Sequence, residues 1–168
     1  VFNKSGHPGT PKDYNLENTE EVYIKTEDNL ELLSWYHKGN NSLPLLVYFH
    51  GNSYHIGDRA YRIEKYIKRN WSALLVSWRG FGGNQGNPTE KNLYKDAEAV
   101  LKWIKNNTEF KFKDLVIYGE SLGSGAAVEM GTKYKFLSIV LEAPFTSISD
   151  IAKKRYKIFP TKYLVKDK

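Results

Sequence analysis

Cysteine does not occur in any of the 168 positions. That excludes disulfides, thiolate metal sites and a cysteine nucleophile, and it fits a reducing compartment. Long apolar runs are missing as well, none approaching the roughly 18 residues of a membrane-spanning helix. There is no internal repeat and no low-complexity segment. Negative charge is in deficit: 25 Lys and Arg face 19 Asp and Glu, for a net charge of +6 and a pI near 9.3. The excess comes from twenty lysines and only five arginines, scattered along the chain beside thirteen asparagines. Diffuse lysine of this kind reads as solvated surface, so no nucleic-acid partner is expected. The length suits one domain of about 150 residues, large enough to bury roughly 70% of its unfolded surface. The chain opens on Val1 rather than methionine, which leaves room for an upstream segment. The expected setting is cytoplasmic, with membrane association if such a segment exists.

Residues 1–19 are polar and turn-rich (Gly6, Pro8, Gly9, Pro11) and read as an extended arm. Val22–Ile24 and Leu30–Tyr36, flanking Glu27-Asp28-Asn29, read as a β-hairpin. Four continuous apolar runs follow, at 45–49, 73–78, 115–118 and 137–141, as strands buried on both faces of a parallel sheet require. Helical spacing separates them. Ile56, Ala60, Ile63 and Ile67 form one stripe; Leu93, Ala97, Val100, Leu101 and Ile104 form another, with a start signal at Pro88-Thr89-Glu90 and a stop at Asn106-Asn107. A third helix, 122–133, is rich in small residues. Alternating strands and helices behind a hairpin predict an α/β fold with a mostly parallel sheet.

Three segments carry chemistry. Gly119-Glu120-Ser121-Leu122-Gly123 places G-x-S-x-G between a buried strand and a helix, the context of a nucleophile elbow. Such a turn strains the serine and lifts its Oγ above the sheet, while the Leu122 N–H in the first helical turn points at any oxyanion formed there. Ser124 lacks the symmetric glycines and is the weaker nucleophile. The segment lacks the Gly-Lys-Ser/Thr of a phosphate-binding loop. Second, the strand 47–49 runs into His50-Gly51-Asn52-Ser53, a loop suited to a second oxyanion N–H, from Asn52 or alternatively Ser53. His50 reads as a loop brace rather than a general base. Third, Trp78-Arg79-Gly80-Phe81-Gly82 opens a glycine-rich loop that lacks the rest of a dinucleotide fingerprint. It is expected to shape a pocket mouth, with Arg79 bracing it through backbone carbonyls.

Taken in order with Glu142-Ala143-Pro144-Phe145, these segments resemble the serine α/β-hydrolase superfamily over about residues 20–165. The similarity is to the branch of α/β-hydrolase-domain proteins, acyl-protein thioesterases and serine-aminopeptidase-like hydrolases. The resemblance implies Ser121 as nucleophile, Leu122 and Asn52 as oxyanion-hole N–H donors, and no cofactor or metal. It also implies a chain order of serine, acid, histidine. Here His7, His37, His50 and His55 all precede Ser121, and the later carboxylates are Glu129, Glu142, Asp150 and Asp167.

The expectation is therefore an incomplete α/β-hydrolase domain over 20–168. Its C-terminal strands would be missing, 137–141 would be left as an exposed edge, and 148–168 would begin a lid-like segment. The implied activity is hydrolysis of an ester, thioester or amide bond through an acyl-Ser121 intermediate, weak in this chain alone. The alternative is a non-catalytic hydrolase-like binding module or gene remnant. Substrates would be acyl groups on a small molecule, lipid or protein. The basic, aromatic stretch 153–168 would give at most weak contact with an anionic membrane.

Overall fold

A computed structural model of the protein describes residues 6–144. The hairpin forms from β1 (Thr19–Lys25) and β2 (Glu31–His37), paired antiparallel with Val22 opposite Ser34. Its turn is closed by Thr26, whose Oγ1 donates to Asp28 Oδ1 at 2.7 Å and accepts from Leu30 N at 3.0 Å. The four apolar runs become β3 (Leu45–Phe49), β4 (Ser72–Val76), β5 (Leu115–Glu120) and β6 (Ser138–Glu142). These four run parallel, and every residue of β3 and β4 is buried, which accounts for the apolar runs 45–49 and 73–76.

The sheet order is β1-β2-β4-β3-β5-β6. Three helices connect the parallel strands: α1 (Ala60–Ile67), α2 (Glu90–Asn107) and α3 (Leu122–Lys133). Thr89 caps α2, its side chain accepting from Asn92 N at 3.2 Å. One core layer packs Leu45, Val47 and Phe49 with α2 and α3; the other packs Leu46 and Tyr48 with α1. The alternation of strand side chains thus divides the apolar residues between two faces. The chain leaves β3 toward β4 and leaves β5 toward β6, so strand order reverses between β3 and β5. In open α/β sheets the crevice beyond the carboxyl ends at such a point is where ligands bind.

Two segments differ from the sequence expectation. The stripe beginning at Ile56 starts as a 3-10 turn, Ile56–Arg59, and becomes α-helical only at Ala60. Within the expected arm, residues 6–18 are packed rather than extended. Pro11–Tyr14 forms a 3-10 turn, Leu16 is buried, and Tyr14 packs on Trp35 with ring centroids 5.5 Å apart while its hydroxyl donates to Pro8 O. Two apolar side chains here find cover against the α1 face, which turn-rich composition alone does not reveal.

Among the described residues β6 pairs with β5 alone, and Leu137, Ile139, Val140 and Leu141 are exposed, as expected for an edge at 137–141. The lid-like stretch 148–168, with Asp150 and the basic, aromatic residues of 153–168, lies outside the described residues. No helix among the described residues is long and apolar enough to cross a membrane.

Candidate active site

Ser121 joins β5 to α3 with φ 47° and ψ −108°, a backbone conformation that a residue with a Cβ adopts only under strain. The turn is held by Ser121 N donating to Glu142 O at 2.8 Å and Ser124 N donating to Ser121 O at 2.9 Å. It is tight because the flanking positions carry no side chain. A Cβ on Gly119 would lie 2.6 Å from Gly123 O, and one on Gly123 would lie 2.1 Å from Phe49 O. Leu122, the first residue of α3, has one of the N–H groups that no helix can satisfy internally. Ser124 is buried and its Oγ donates to Ser121 O, so it serves the turn.

The loop after β3 meets this turn. A Cβ on Gly51 would lie 3.3 Å from Ser121 Cβ and 3.1 Å from Glu120 Oε1, which sets the Asn52 loop directly beside the elbow at the switch point. His50 is fully buried. Its Nδ1 donates to Gly51 O at 2.7 Å, its Nε2 accepts from Trp78 N at 3.4 Å, and its own carbonyl accepts from Trp78 Nε1 at 2.9 Å. Both ring nitrogens are occupied, so the residue braces the loop. Burial pushes its pKa down to about 4, which keeps it neutral in the folded protein. An unfolded histidine, near 6.5, takes up a proton first, so acidification favours unfolding between those two values. Urea midpoints are therefore expected to fall from pH 6.5 to pH 4. A flatter profile is expected for His50→Gln, and an unchanged one would contradict this assignment.

The other histidines are placed elsewhere. His37 lies within 3.2 Å of Thr19 Oγ1, His7 accepts from Gly9 N, and His55 Nδ1 lies 2.9 Å from Asp58 Oδ2. Among the described residues no histidine hydrogen-bonds Ser121, and none of their His, Asp and Glu side chains form a group that could hold a metal ion.

Arg79 does brace the glycine-rich loop, but through carboxylates and not carbonyls. Its guanidinium, 2% exposed, donates to Asp96 Oδ1 at 2.8 and 2.6 Å and to both Asp28 oxygens at 2.7 and 3.0 Å. Its backbone N donates to Asp96 Oδ2. A guanidinium buried with no other acceptor needs such anions, and the pair joins the hairpin turn, the loop and α2. Asp96 had a visible signal: it falls on the apolar stripe of α2, between Leu93 and Val100, where a carboxylate requires a partner.

Sequence reasoning also missed two ion pairs beside the elbow. Arg59 holds Glu120 with two bonds, Nε to Oε2 at 2.9 Å and Nη2 to Oε1 at 2.8 Å, and Tyr48 Oη donates to the same carboxylate at 3.0 Å. Arg62 donates to Glu142 Oε2 through one nitrogen, Nη1, and Tyr118 Oη donates to the same oxygen, with Tyr48 and Tyr118 stacked 4.8 Å apart. Burial alone would raise the Glu120 pKa, but the hydrogen bonds and charge of Arg59 outweigh it and hold the carboxyl below its ordinary value. Glu142 is thus engaged by Arg62 and Tyr118. A groove of about 980 Å³ lies apart from this site, along α2 between Tyr23, Trp103 and Tyr134.

Residues 20–165 match the family model described as the accessory Sec system GspB-transporter. The fold superposes on the Pyrococcus furiosus esterase with a TM-score of 0.79 and 26% identity, covering 99% of this chain and 68% of that one. The chain belongs to the family of that model, within the α/β-hydrolase superfamily. An uncharacterized protein of Mycobacterium tuberculosis is 32% identical over 152 residues, 88% of this chain and 53% of the relative. The lysophosphatidylserine lipase ABHD12 of Danio rerio is 28% identical over 171 residues, 85% of this chain and 44% of the relative. The chain spans about half the length of the curated relatives it matches.

Proposed function

We propose that the protein hydrolyses an ester, thioester or amide bond through an acyl-Ser121 intermediate. The observation that carries this is the strained Ser121 at the β5–α3 turn with the Gly51-Asn52 loop against it. Ser121 Oγ attacks the substrate carbonyl, and the N–H groups of Leu122 and Asn52 receive the developing oxyanion. Each such donor is worth about 3 kcal/mol of barrier. Water then releases the acyl group. The general base and its acid are assigned to residues outside 6–144, because His50 is committed to the loop and a serine without a base is a weak nucleophile at neutral pH. The 168 residues alone are expected to turn over poorly, with a residual on the order of 10³ to 10⁴ over water from oxyanion stabilisation and binding. Activity comparable to an ordinary esterase would overturn that assignment.

A fluorophosphonate probe tests the nucleophile in the full-length protein. Labelling is expected, and Ser121→Ala should abolish it while Ser124→Ala should retain it. The competing reading is a non-catalytic hydrolase-like module. Complete absence of labelling would decide for it.

A further inference from the structure

The Glu120 carboxylate is enclosed by both ends of the loop that carries Asn52. At the start of the loop, Gly51 approaches so closely that a Cβ there would lie 3.1 Å from Glu120 Oε1. At its end, Arg59 closes the 3-10 turn Ile56–Arg59 and grips Glu120 through two nitrogens, with both side chains largely buried at 12% and 14% exposure. From the sheet below, Tyr48 donates a third hydrogen bond to the same group. The backbone of Glu120 passes straight into Ser121 and Leu122. One carboxylate, carried by the residue next to Ser121, therefore touches the strand under the site and both ends of the Asn52 loop.

We propose that Glu120, clamped by Arg59, is a positioning residue that fixes the separation between the Asn52 loop and the Ser121 elbow. This rests on the acyl-serine reading and deepens it. A two-nitrogen clamp resists rotation as well as translation, because a planar guanidinium matches a carboxylate at two points. With the clamp lost, the far end of the loop is no longer tied to Glu120, and the two N–H donors lose their fixed spacing. The neighbouring pair Arg62–Glu142 supplies an internal comparison. It comes from the same turn-and-helix segment and also ends on a strand-terminal glutamate, but its carboxylate is not among the atoms nearest Gly51, and Glu142 meets the elbow through its backbone carbonyl, which accepts from Ser121 N.

The test is the rate of fluorophosphonate labelling of the full-length protein, measured over a range of probe concentrations, with thermal unfolding in parallel. Arg59→Met is expected to lower the limiting labelling rate by about 10- to 100-fold, the order of effect that an ångström of misplacement produces. Half-saturation should stay nearly unchanged. Arg59→Lys should recover part of the rate, since it keeps the charge and loses the second contact. Should Arg59→Met not fold, Arg59→Lys alone still carries the test through its reduced limiting rate. Arg62→Met is expected to lower the unfolding temperature by a similar amount but to label within about 3-fold of the parent. Equal labelling rates for the Arg59 and Arg62 variants, with the parent reactive, would overturn the positioning role and leave the acyl-serine reading standing. A parent that does not label would overturn both.

Discussion

Arg79→Met is expected to destabilise the protein by about 3–5 kcal/mol, the cost of leaving a buried charge without its partner. The abandoned group is Asp96, fully buried in the middle of α2 and hydrogen-bonded to both the side chain and the backbone of Arg79. Asp28 loses less, because its side chain is 40% exposed and can turn to water. The double variant Arg79→Met/Asp96→Leu should therefore recover most of the loss, as replacing a whole buried pair by apolar groups is often neutral. Urea unfolding of the three proteins measures this. A single variant within about 1 kcal/mol of the parent would show that the clamp is not holding the hairpin turn to α2. The same pair predicts a pH effect. Hydrogen bonds from Arg79, then from Thr26, hold the Asp28 carboxyl well below the ordinary range. Its contribution is thus complete above the unfolded value near 3.9 and is lost as the pH falls below it. The stability gap between the parent and Asp28→Asn should accordingly narrow from pH 6 to pH 3.

What the sequence disclosed follows how local each feature is. Buried parallel strands need apolar residues on both faces, so the runs at 45–49 and 115–118 announced β3 and β5 without reference to anything distant. The elbow is equally local: five consecutive residues specify a turn in which Gly119 and Gly123 allow the crowding and Ser121 takes the strain. The bounds of α3 follow from that turn. Sheet order is different. Nothing in the apolar pattern of Ser72–Val76 says that β4 lies between β2 and β3 rather than beyond them. The ion pairs are the least legible, because Arg79 finds Asp28 at a separation of 51 residues and Arg59 finds Glu120 at 61. Carbonyl bracing is what a loop arginine suggests on its own, whereas Asp96 on the apolar α2 stripe is the residue that points to a buried ion pair. The packing of residues 6–18 within the expected arm 1–19 is hidden for a related reason, since the surface that buries Leu16 is made by β2 and α1, elements it precedes.

The second large effect is expected at Gly123, where adding one methyl group should disable the site. An alanine Cβ there would lie 2.1 Å from Phe49 O and 2.6 Å from Phe49 C. Both are backbone atoms at the end of β3, a strand hydrogen-bonded to neighbours on both sides, so the strand cannot yield. The first turn of α3 must move instead, carrying Leu122 and the Ser121 backbone away from the Asn52 loop. Overpacking of this kind costs about 3 kcal/mol or more when backbone rather than side chain must shift. A displacement near an ångström should slow fluorophosphonate labelling by about 100-fold. Gly131→Ala is the matched comparison in the same helix. Its Cβ would meet only Ile139 Cδ1 within 3 Å, the far end of a partly exposed side chain that can rotate aside. Alanine there should gain up to about 1 kcal/mol of helix propensity and leave labelling unchanged. If Gly123→Ala labelled as fast as Gly131→Ala, the close approach of α3 to β3 would not be what shapes the elbow. If the two variants unfold and label as expected, the second glycine of the motif is explained by one contact, between the first turn of α3 and the last residue of β3.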